Sequence, residues 1–135
     1  MNLLNFVEET MSINLRREPF RYTLKEPITF EIYIISINGV SAPHKPIQAE
    51  LIDISRSGCQ LSFPLSLHVE SNEIRIGMNL LLFEDPLDLE GTLRWGNEEN
   101  ETWHYGVQLE IQDGNHDRLS RELRMLAGQG RIMVK

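Results

Sequence analysis

The chain has 135 residues, of which 41% are hydrophobic and 24% are charged, and these values predict one soluble globular domain with its own core. The formal net charge of −7 argues against a protein that coats nucleic acid or lies on a membrane surface, because both favour basic surfaces. Cys59 is the only cysteine, which excludes an intrachain disulfide and a four-cysteine zinc site. Because polar residues alternate with it, Cys59 is predicted to be a small buried hydrophobe.

The N-terminus carries no recognisable targeting signal. Residues 1–10 lack a basic leading region, and Glu8 and Glu9 interrupt their apolar run. This pattern fits neither a signal peptide nor a membrane-spanning helix, so we expect a cytoplasmic protein with no membrane insertion. Residues 1–15 are interpreted as an N-terminal extension, which could dock on the domain, on a partner or nowhere.

A basic segment, RREPFRY, follows this extension. Arg17 and Arg21 bracket three residues, and Arg16 stands just before them. Residues 16–25 carry four basic side chains and one acidic side chain, a local charge of +3 that leaves −10 for the rest of the chain. Pro19 disfavours a helical conformation for the residue before it, so the segment is predicted to be an extended arm. Its guanidinium groups suit phosphate oxygens or the O6/N7 edge of guanine.

Alternation of apolar and polar residues dominates the middle of the chain and predicts short strands. Asn38-Gly39 is a strong turn signal between two of the apolar runs. Six short strands separated by turns favour a closed antiparallel barrel, because closure removes exposed sheet edges. The predicted strands cover residues 28–34, 49–54, 59–63, 78–84, 89–95 and 105–111. Trp95, at the end of the fifth, is predicted to belong to the core, with contact to a bound ligand as the alternative.

One helix is predicted after the last strand. Asn115 is the expected N-cap, Asp117 suits the first turn and Gly128 ends the helix. The expected buried face, which would pack as a lid on one barrel opening, consists of Leu119, Leu123 and Leu126. Residues 128–135 carry no informative pattern and are interpreted as a C-terminal tail.

A second polar motif, DISRSG, falls where the second predicted strand ends. Asp53 offers an acceptor to N–H groups on the Watson–Crick edge of a purine, and Ser55 can donate or accept a hydrogen bond. Gly58 permits a turn or a close approach. The motif is also typical of a tight turn between strands, and a turn that presents side chains satisfies both interpretations. Together with the arginines it indicates a site for a small anion with purine features.

In order and at this spacing, the two motifs resemble the signature of the PilZ domain family, RxxxR followed by [DN]xSxxG. A further segment, GTLRWGNEENETWHYGVQLEI, is similar to the closing hairpin of that family. The resemblance covers about residues 16–126, and we assign residues 16–127 to the PilZ-like domain. It implies an all-β fold, a six-stranded antiparallel barrel with a C-terminal helix, and a bacterial receptor for cyclic dimeric GMP (cyclic di-GMP).

The resemblance also implies which residues bind the nucleotide. Arg17 and Arg21 would grip phosphates and guanine edges from the arm, and Asp53, Ser55 and Gly58 would bind from the barrel surface. Arg56 and Ser57 occupy variable positions of the motif and receive no role.

Arg16 carries an implication of its own. In proteins similar to this one, an arginine just before RxxxR accompanies two mutually intercalated nucleotides, whereas an apolar residue accompanies one. The resemblance therefore implies that Arg16 adds a stacking or ionic contact and that the ligand is an intercalated dimer.

Other functions fit the sequence less well. A nucleotide-independent adaptor with the same barrel would not need both motifs intact. A barrel for single-stranded nucleic acid would want a basic face studded with aromatic residues. We found no metal-ligand spacing among the four histidines and no nucleophile elbow, so neither an enzyme, a metal site nor a cofactor is predicted. The sequence names no downstream protein partner.

Overall fold

The computed structural model describes residues 21–134, most of them in strands. The strands are β1 (Tyr22–Ile37), β2 (Val40–Ser41), β3 (Ile47–Ile54), β4 (Gly58–Phe63), β5 (Ile74–Leu80), β6 (Leu87–Glu99), β7 (Thr102–Glu110) and β8 (Ile132–Val134). One helix, α1 (Asp113–Gly128), lies between β7 and β8. Within the described range no helix has both the length and the apolar character needed to cross a membrane.

Six of the strands form a closed antiparallel barrel. Neighbours follow the order β1-β3-β4-β7-β6-β5, and β5 pairs again with β1. The predicted six-stranded barrel with a C-terminal helix is confirmed. The hairpin strand β2 and the terminal strand β8 both pair with β1, outside this ring.

The barrel interior is filled by the apolar residues of the alternating pattern. Ile32, Leu51, Leu61 and Ile76 come from four different strands, and none of them is exposed to solvent. Burial of such a side chain stabilises the fold by about 1.5–3 kcal/mol. The interior is therefore a packed core, and any ligand site has to lie on the outside of the barrel.

The fourth predicted strand was placed too late in the sequence. It was expected over residues 78–84, but β5 ends at Leu80 and Leu81 is exposed. Leu82 is buried although it lies in the following loop. A continuous apolar run has no alternation that marks its ends, so the pattern extends the predicted strand into a loop with a buried residue.

The helix packs as predicted but begins earlier. Its apolar face, Leu119, Leu123 and Leu126, belongs to the same core as the strands. Asn115 is not the N-cap: the cap is Gln112, whose side chain makes no capping hydrogen bond. The Asn115 side chain instead donates to the carbonyl oxygen of Asp88 (3.4 Å) and accepts from Arg118 (3.0 Å).

A buried carboxylate fastens α1 to the loop between β5 and β6. Glu122 is fully buried, and its Oε1 accepts hydrogen bonds from the backbone N–H groups of Phe83, Glu84 and Asp85 at 2.9, 2.9 and 3.1 Å. Arg118 adds two hydrogen bonds to the carboxylate of Asp85 (3.0 and 2.9 Å). The helix is therefore held by polar contacts as well as by its leucines.

The last strand has no counterpart among the predicted elements. Ile132–Val134 pairs antiparallel with Tyr22–Leu24 at the start of β1. The backbone N–H of Lys25 also donates to the carbonyl oxygen of Arg131 (3.0 Å). The C-terminal segment thus supports the part of β1 that immediately follows Arg21.

Candidate functional site

Ser55 organises the turn between β3 and β4 from the inside. Its Oγ accepts hydrogen bonds from the backbone N–H groups of Ser57 and Gly58, both at 3.2 Å, and lies 3.3 Å from the carbonyl oxygen of Gly58, to which it donates. Its own N–H donates to the same carbonyl at 2.8 Å. Only 1% of Ser55 is exposed. The hydroxyl is therefore engaged in shaping the turn.

Gly58 is required by the close approach of β7. A Cβ atom at this position would lie 2.8 Å from the carbonyl oxygen of Val107, which is closer than real contacts allow. The N–H of Leu109 donates to the carbonyl oxygen of Ser57 at 2.9 Å. The turn is thereby pressed against β7, and the rest of the motif is fixed relative to that strand.

Arg21 and Asp53 form an ion pair beside this turn. Nη1 of Arg21 donates to Oδ1 of Asp53 at 2.7 Å. Pairing of Thr23 with Asp53 in the β1–β3 ladder brings the end of the arm to the acidic residue. The side chain of Asp53 is 12% exposed and that of Arg21 is 40% exposed. The carboxylate is therefore partly withdrawn from water, whereas the guanidinium faces an open groove.

This groove, which we call the motif groove, has a volume of about 440 Å³. That volume lies within the range of small-molecule sites, about 300–1,000 Å³. Arg21, Asp53, Ser57 and Gly58 line one side of it, and β6 and β7 contribute the other. The residues that define its far side are Arg94, Trp95, Gly106 and Gln108.

Trp95 lies in this groove, so its predicted place in the core is wrong. Its exposed fraction is 45%. The ladder pairs Leu93 with Val107 and Trp95 with Gly106, so β6 carries one extra residue at this point. Such a bulge leaves both Arg94 and Trp95 on the exposed side, because two residues oppose one on the partner strand.

The indole of Trp95 rests on Gly106. A Cβ atom at Gly106 would lie 1.9 Å from Nε1 and 2.3 Å from Cε2 of Trp95, so only glycine permits this arrangement. In the sequence, the one sign of the exposed tryptophan is the glycine of the Tyr-Gly-Val stretch on the opposite strand. Alternation of apolar and polar residues does not reveal this position, because a bulge exchanges the buried and exposed faces of the strand.

Arg94 and Gln108 are the other residues that the sequence analysis missed. Nε of Arg94 donates to Oε1 of Gln108 at 2.7 Å across the β6–β7 pair. Both lie at outward positions of predicted strands, where a polar residue has no distinguishing feature. Arg94 gives the groove a second cation, across from Arg21.

Cys59 belongs to the lining of the motif groove and is the small buried hydrophobe that was predicted. It is 3% exposed, and burial, followed by the nearby Asp53 carboxylate, raises the pKa of its thiol far above the ordinary value. The thiol form is therefore maintained at neutral pH. A nucleophilic role at the site is disfavoured, since the thiolate is the reactive form.

A second cavity of similar size has the opposite electrostatic character. It has a volume of about 410 Å³, and its lining includes Asp88, Glu90 and Glu110. Arg75 bridges Glu90 (3.0 Å) and Glu110 (2.8 Å), and the hydrogen bond from Arg75 holds the pKa of Glu110 below its usual value. These carboxylates would repel an anion, whereas the motif groove holds Arg21 and Arg94 together with both ends of the DISRSG motif.

The predicted site residues fall into two groups. Arg21, Asp53, Ser55 and Gly58 meet at the motif groove, with Ser55 inside the turn that forms its wall. Arg16 and Arg17 lie outside the described residues.

Residues 15–124 match the family model of the PilZ domain. The chain belongs to the PilZ domain family. This PilZ domain is similar in structure to the Bacillus subtilis inhibitor of motility (MotI/DgrA), with a TM-score of 0.57 and 19% sequence identity. The match covers 89% of this chain and 56% of that one, and at this identity it shows a shared fold. No curated protein matches the sequence.

Proposed function

We propose that this PilZ domain is a receptor for cyclic di-GMP and that the nucleotide binds in the motif groove. The observation that carries the proposal is the Arg21–Asp53 pair at 2.7 Å on one wall of a groove whose opposite wall is Trp95. A fixed cation, a fixed carboxylate and an exposed indole are the groups that recognise phosphate, guanine donors and a base face.

Asp53 and Arg21 have complementary roles in this proposal. The carboxylate of Asp53 has a second oxygen with which to accept N–H groups from a guanine edge. Arg21 keeps further N–H donors for a phosphate or for the O6/N7 edge of guanine, since only Nη1 contacts Asp53. The ion pair orients both groups before the ligand arrives, which lowers the ordering cost of binding.

Trp95 and Arg94 complete the recognition of the base. The indole is supported by Gly106 on one side and is about half exposed, so a base can stack on it. Base–aromatic stacking is worth about 1–3 kcal/mol per base. Arg94 supplies a second positive charge on the wall opposite Arg21.

Arg16 and Arg17 belong to the proposal through the family motif. We propose that Arg17 grips a phosphate together with Arg21. Arg16 would offset the charge of a second, intercalated nucleotide. Two cyclic dinucleotides bring four phosphates together, and an additional guanidinium lowers their mutual repulsion.

In this proposal the domain acts as a receptor and has no catalytic role of its own. We propose that the bound nucleotide changes how the domain contacts a partner protein in the cytoplasm, with outputs in motility, exopolysaccharide or biofilm control. A structural neighbour described as an inhibitor of motility makes the first of these outputs the natural one to test.

Calorimetric titration with cyclic di-GMP tests the proposal. Arg21→Ala removes the proposed bidentate contact to the nucleotide and should weaken binding by about ten- to a hundredfold, since such pairs are worth roughly 1–3 kcal/mol. Asp53→Ala should have a comparable effect, because it leaves guanine donors unpaired. Arg124→Ala is the matched control, since Arg124 is an exposed arginine on α1. A thermal melt of each variant checks its folding.

Two results would contradict the proposal. Equal affinity of the wild type, Arg21→Ala and Asp53→Ala would show that the nucleotide binds elsewhere. Absence of binding by the folded wild-type chain would favour the nucleotide-independent adaptor.

A further inference from the structure

A smaller cavity also has Trp95 in its lining, and we call it the aromatic cup. Its volume is about 210 Å³. Three of its walls are aromatic and come from the β6–β7 hairpin, and the loop between β4 and β5 closes it. The residues that form the cup are Trp95, Trp103, Tyr105, His68, Val69 and Glu70.

The cup adjoins the motif groove and shares lining residues with it. Arg94 and Trp95 line both cavities. A ligand that contacts Trp95 in the groove therefore touches a residue of the cup as well. The two cavities form one extended surface along β6.

The loop wall of the cup is held in place by hydrogen bonds. The hydroxyl of Tyr105 donates to the carbonyl oxygen of Leu65 (2.6 Å) and accepts from the N–H of Leu67 (2.9 Å). The next residue, His68, has φ 52°, in the left-handed region. Its carbonyl oxygen accepts from the N–H of Ser71 (3.1 Å) and from the side chain of Asn72 (3.1 Å), which stabilises this conformation. The cup therefore exists before any ligand binds.

Size and chemistry indicate what the cup can take. Its volume is below the range for whole drug-sized ligands, about 300–1,000 Å³, so it fits one ring system and not a complete cyclic dinucleotide. The aromatic walls suit a planar ring. The carboxylate of Glu70 accepts hydrogen bonds and donates none, so it favours a ring edge with adjacent N–H donors. The Watson–Crick edge of guanine carries two such donors, whereas adenine presents one exocyclic amino group.

We propose that the aromatic cup is a second base subsite, in which one guanine of a bound cyclic dinucleotide lies against the tryptophans and donates to Glu70. The other guanine lies in the motif groove at Asp53. This inference rests on the proposed function, since it assumes that a guanine dinucleotide occupies the groove. It assigns selectivity for the second guanine to the β4–β5 loop, outside both sequence motifs.

Calorimetry with two nucleotides tests the role of Glu70. Glu70→Gln exchanges one acceptor oxygen for a donor and should weaken cyclic di-GMP binding by about ten- to a hundredfold, on the scale of a lost bidentate pair. Binding of the mixed cyclic GMP–AMP should change much less, because adenine in the cup has one exocyclic amino group and does not donate to both carboxylate oxygens of Glu70. Glu98→Gln is the matched control, an exposed carboxylate on the same hairpin that lines neither cavity. Unchanged cyclic di-GMP affinity in Glu70→Gln, or an equal loss for both nucleotides, would overturn the subsite.

Fluorine NMR of the wild-type chain gives a readout that does not depend on affinity. The chain has two tryptophans, so 5-fluorotryptophan labelling yields two resonances, which Trp95→Phe and Trp103→Phe assign. Saturating cyclic di-GMP should shift both resonances if a base enters the cup. A shift of Trp95 alone would overturn the cup and leave the motif groove intact. No shift of either resonance and no calorimetric binding would overturn the proposed function as well.

Discussion

Trp95 lies on Gly106, and this contact between neighbouring strands turns a bulge into one wall of a binding groove. The extra residue in β6 exposes the indole, and the absence of a side chain at position 106 lets it lie against the barrel surface. The position of the aromatic ring therefore depends on a residue that has no side chain.

The first prediction follows from this contact. Gly106→Ala should weaken cyclic di-GMP binding about as much as Trp95→Ala does, roughly ten- to a hundredfold, because the new Cβ displaces the indole from its stacking position. The double variant should bind no more weakly than Trp95→Ala alone, since both changes remove the same contact. Calorimetry of the three variants measures this, and additive losses would show that Gly106 acts independently of Trp95.

The second prediction concerns the buried carboxylate of α1. Glu122→Ala leaves three backbone N–H groups of the β5–β6 loop without an acceptor, so the free energy of unfolding should fall by about 3 kcal/mol or more. Urea unfolding followed by tryptophan fluorescence measures the change. Glu98→Ala, on the exposed hairpin, should lie within about 0.5 kcal/mol of the wild type. Equal stability of the two variants would mean that the loop finds other partners.

The third prediction concerns the C-terminal strand. A chain that ends at Gly128 loses the pairing of Ile132–Val134 with Tyr22–Leu24, which directly follows Arg21. Amide exchange at Tyr22–Leu24 should become faster, and cyclic di-GMP affinity should fall because Arg21 is no longer held beside Asp53. Hydrogen exchange with mass spectrometry measures the first effect. The β6–β7 hairpin is the internal control, and unchanged exchange at the start of β1 would contradict the proposed support.

The fourth prediction is the stoichiometry implied by Arg16. We expect two cyclic di-GMP molecules per chain in the wild type and one in Arg16→Leu, because the guanidinium offsets repulsion between stacked dinucleotides. Calorimetry measures both stoichiometries, and Arg124→Leu controls for loss of a positive charge elsewhere. One molecule per wild-type chain, or two in Arg16→Leu, would rule out Arg16 as the determinant.

The barrel was predictable because its strands obey the period-two pattern over most of their length. The errors lie where a local irregularity changes that pattern. The bulge at Trp95 reverses the exposed face, and the buried loop residue Leu82 extends an apolar run beyond β5. Strand β8 has three residues, too few to display a period, and its formation depends on the edge that β1 offers. Asn115 matched a capping preference, but the helix begins at Asp113.

The site was predictable only in part because half of its surface depends on strand pairing. Arg21 and Asp53 were identifiable from motifs that keep their order in the chain, and the β1–β3 ladder brings the two together. Arg94, Trp95 and Gln108 reach the groove because β7 pairs with both β4 and β6. No local pattern in the sequence encodes that adjacency. Ser55 was identifiable from the family motif, but its hydroxyl is engaged in hydrogen bonds that hold the turn.

NMR titration of the isotopically labelled chain shows whether cyclic di-GMP binds in the motif groove. We predict saturable shifts of the backbone amides of Ser57 and Gly58 and of the indole N–H of Trp95, with cyclic di-AMP as the comparison ligand. The amides around Asp88 and Glu90 should remain unchanged, because that acidic cavity repels the nucleotide. Shifts confined to the acidic cavity, or no shifts at saturating cyclic di-GMP, would show that the nucleotide does not bind in the motif groove.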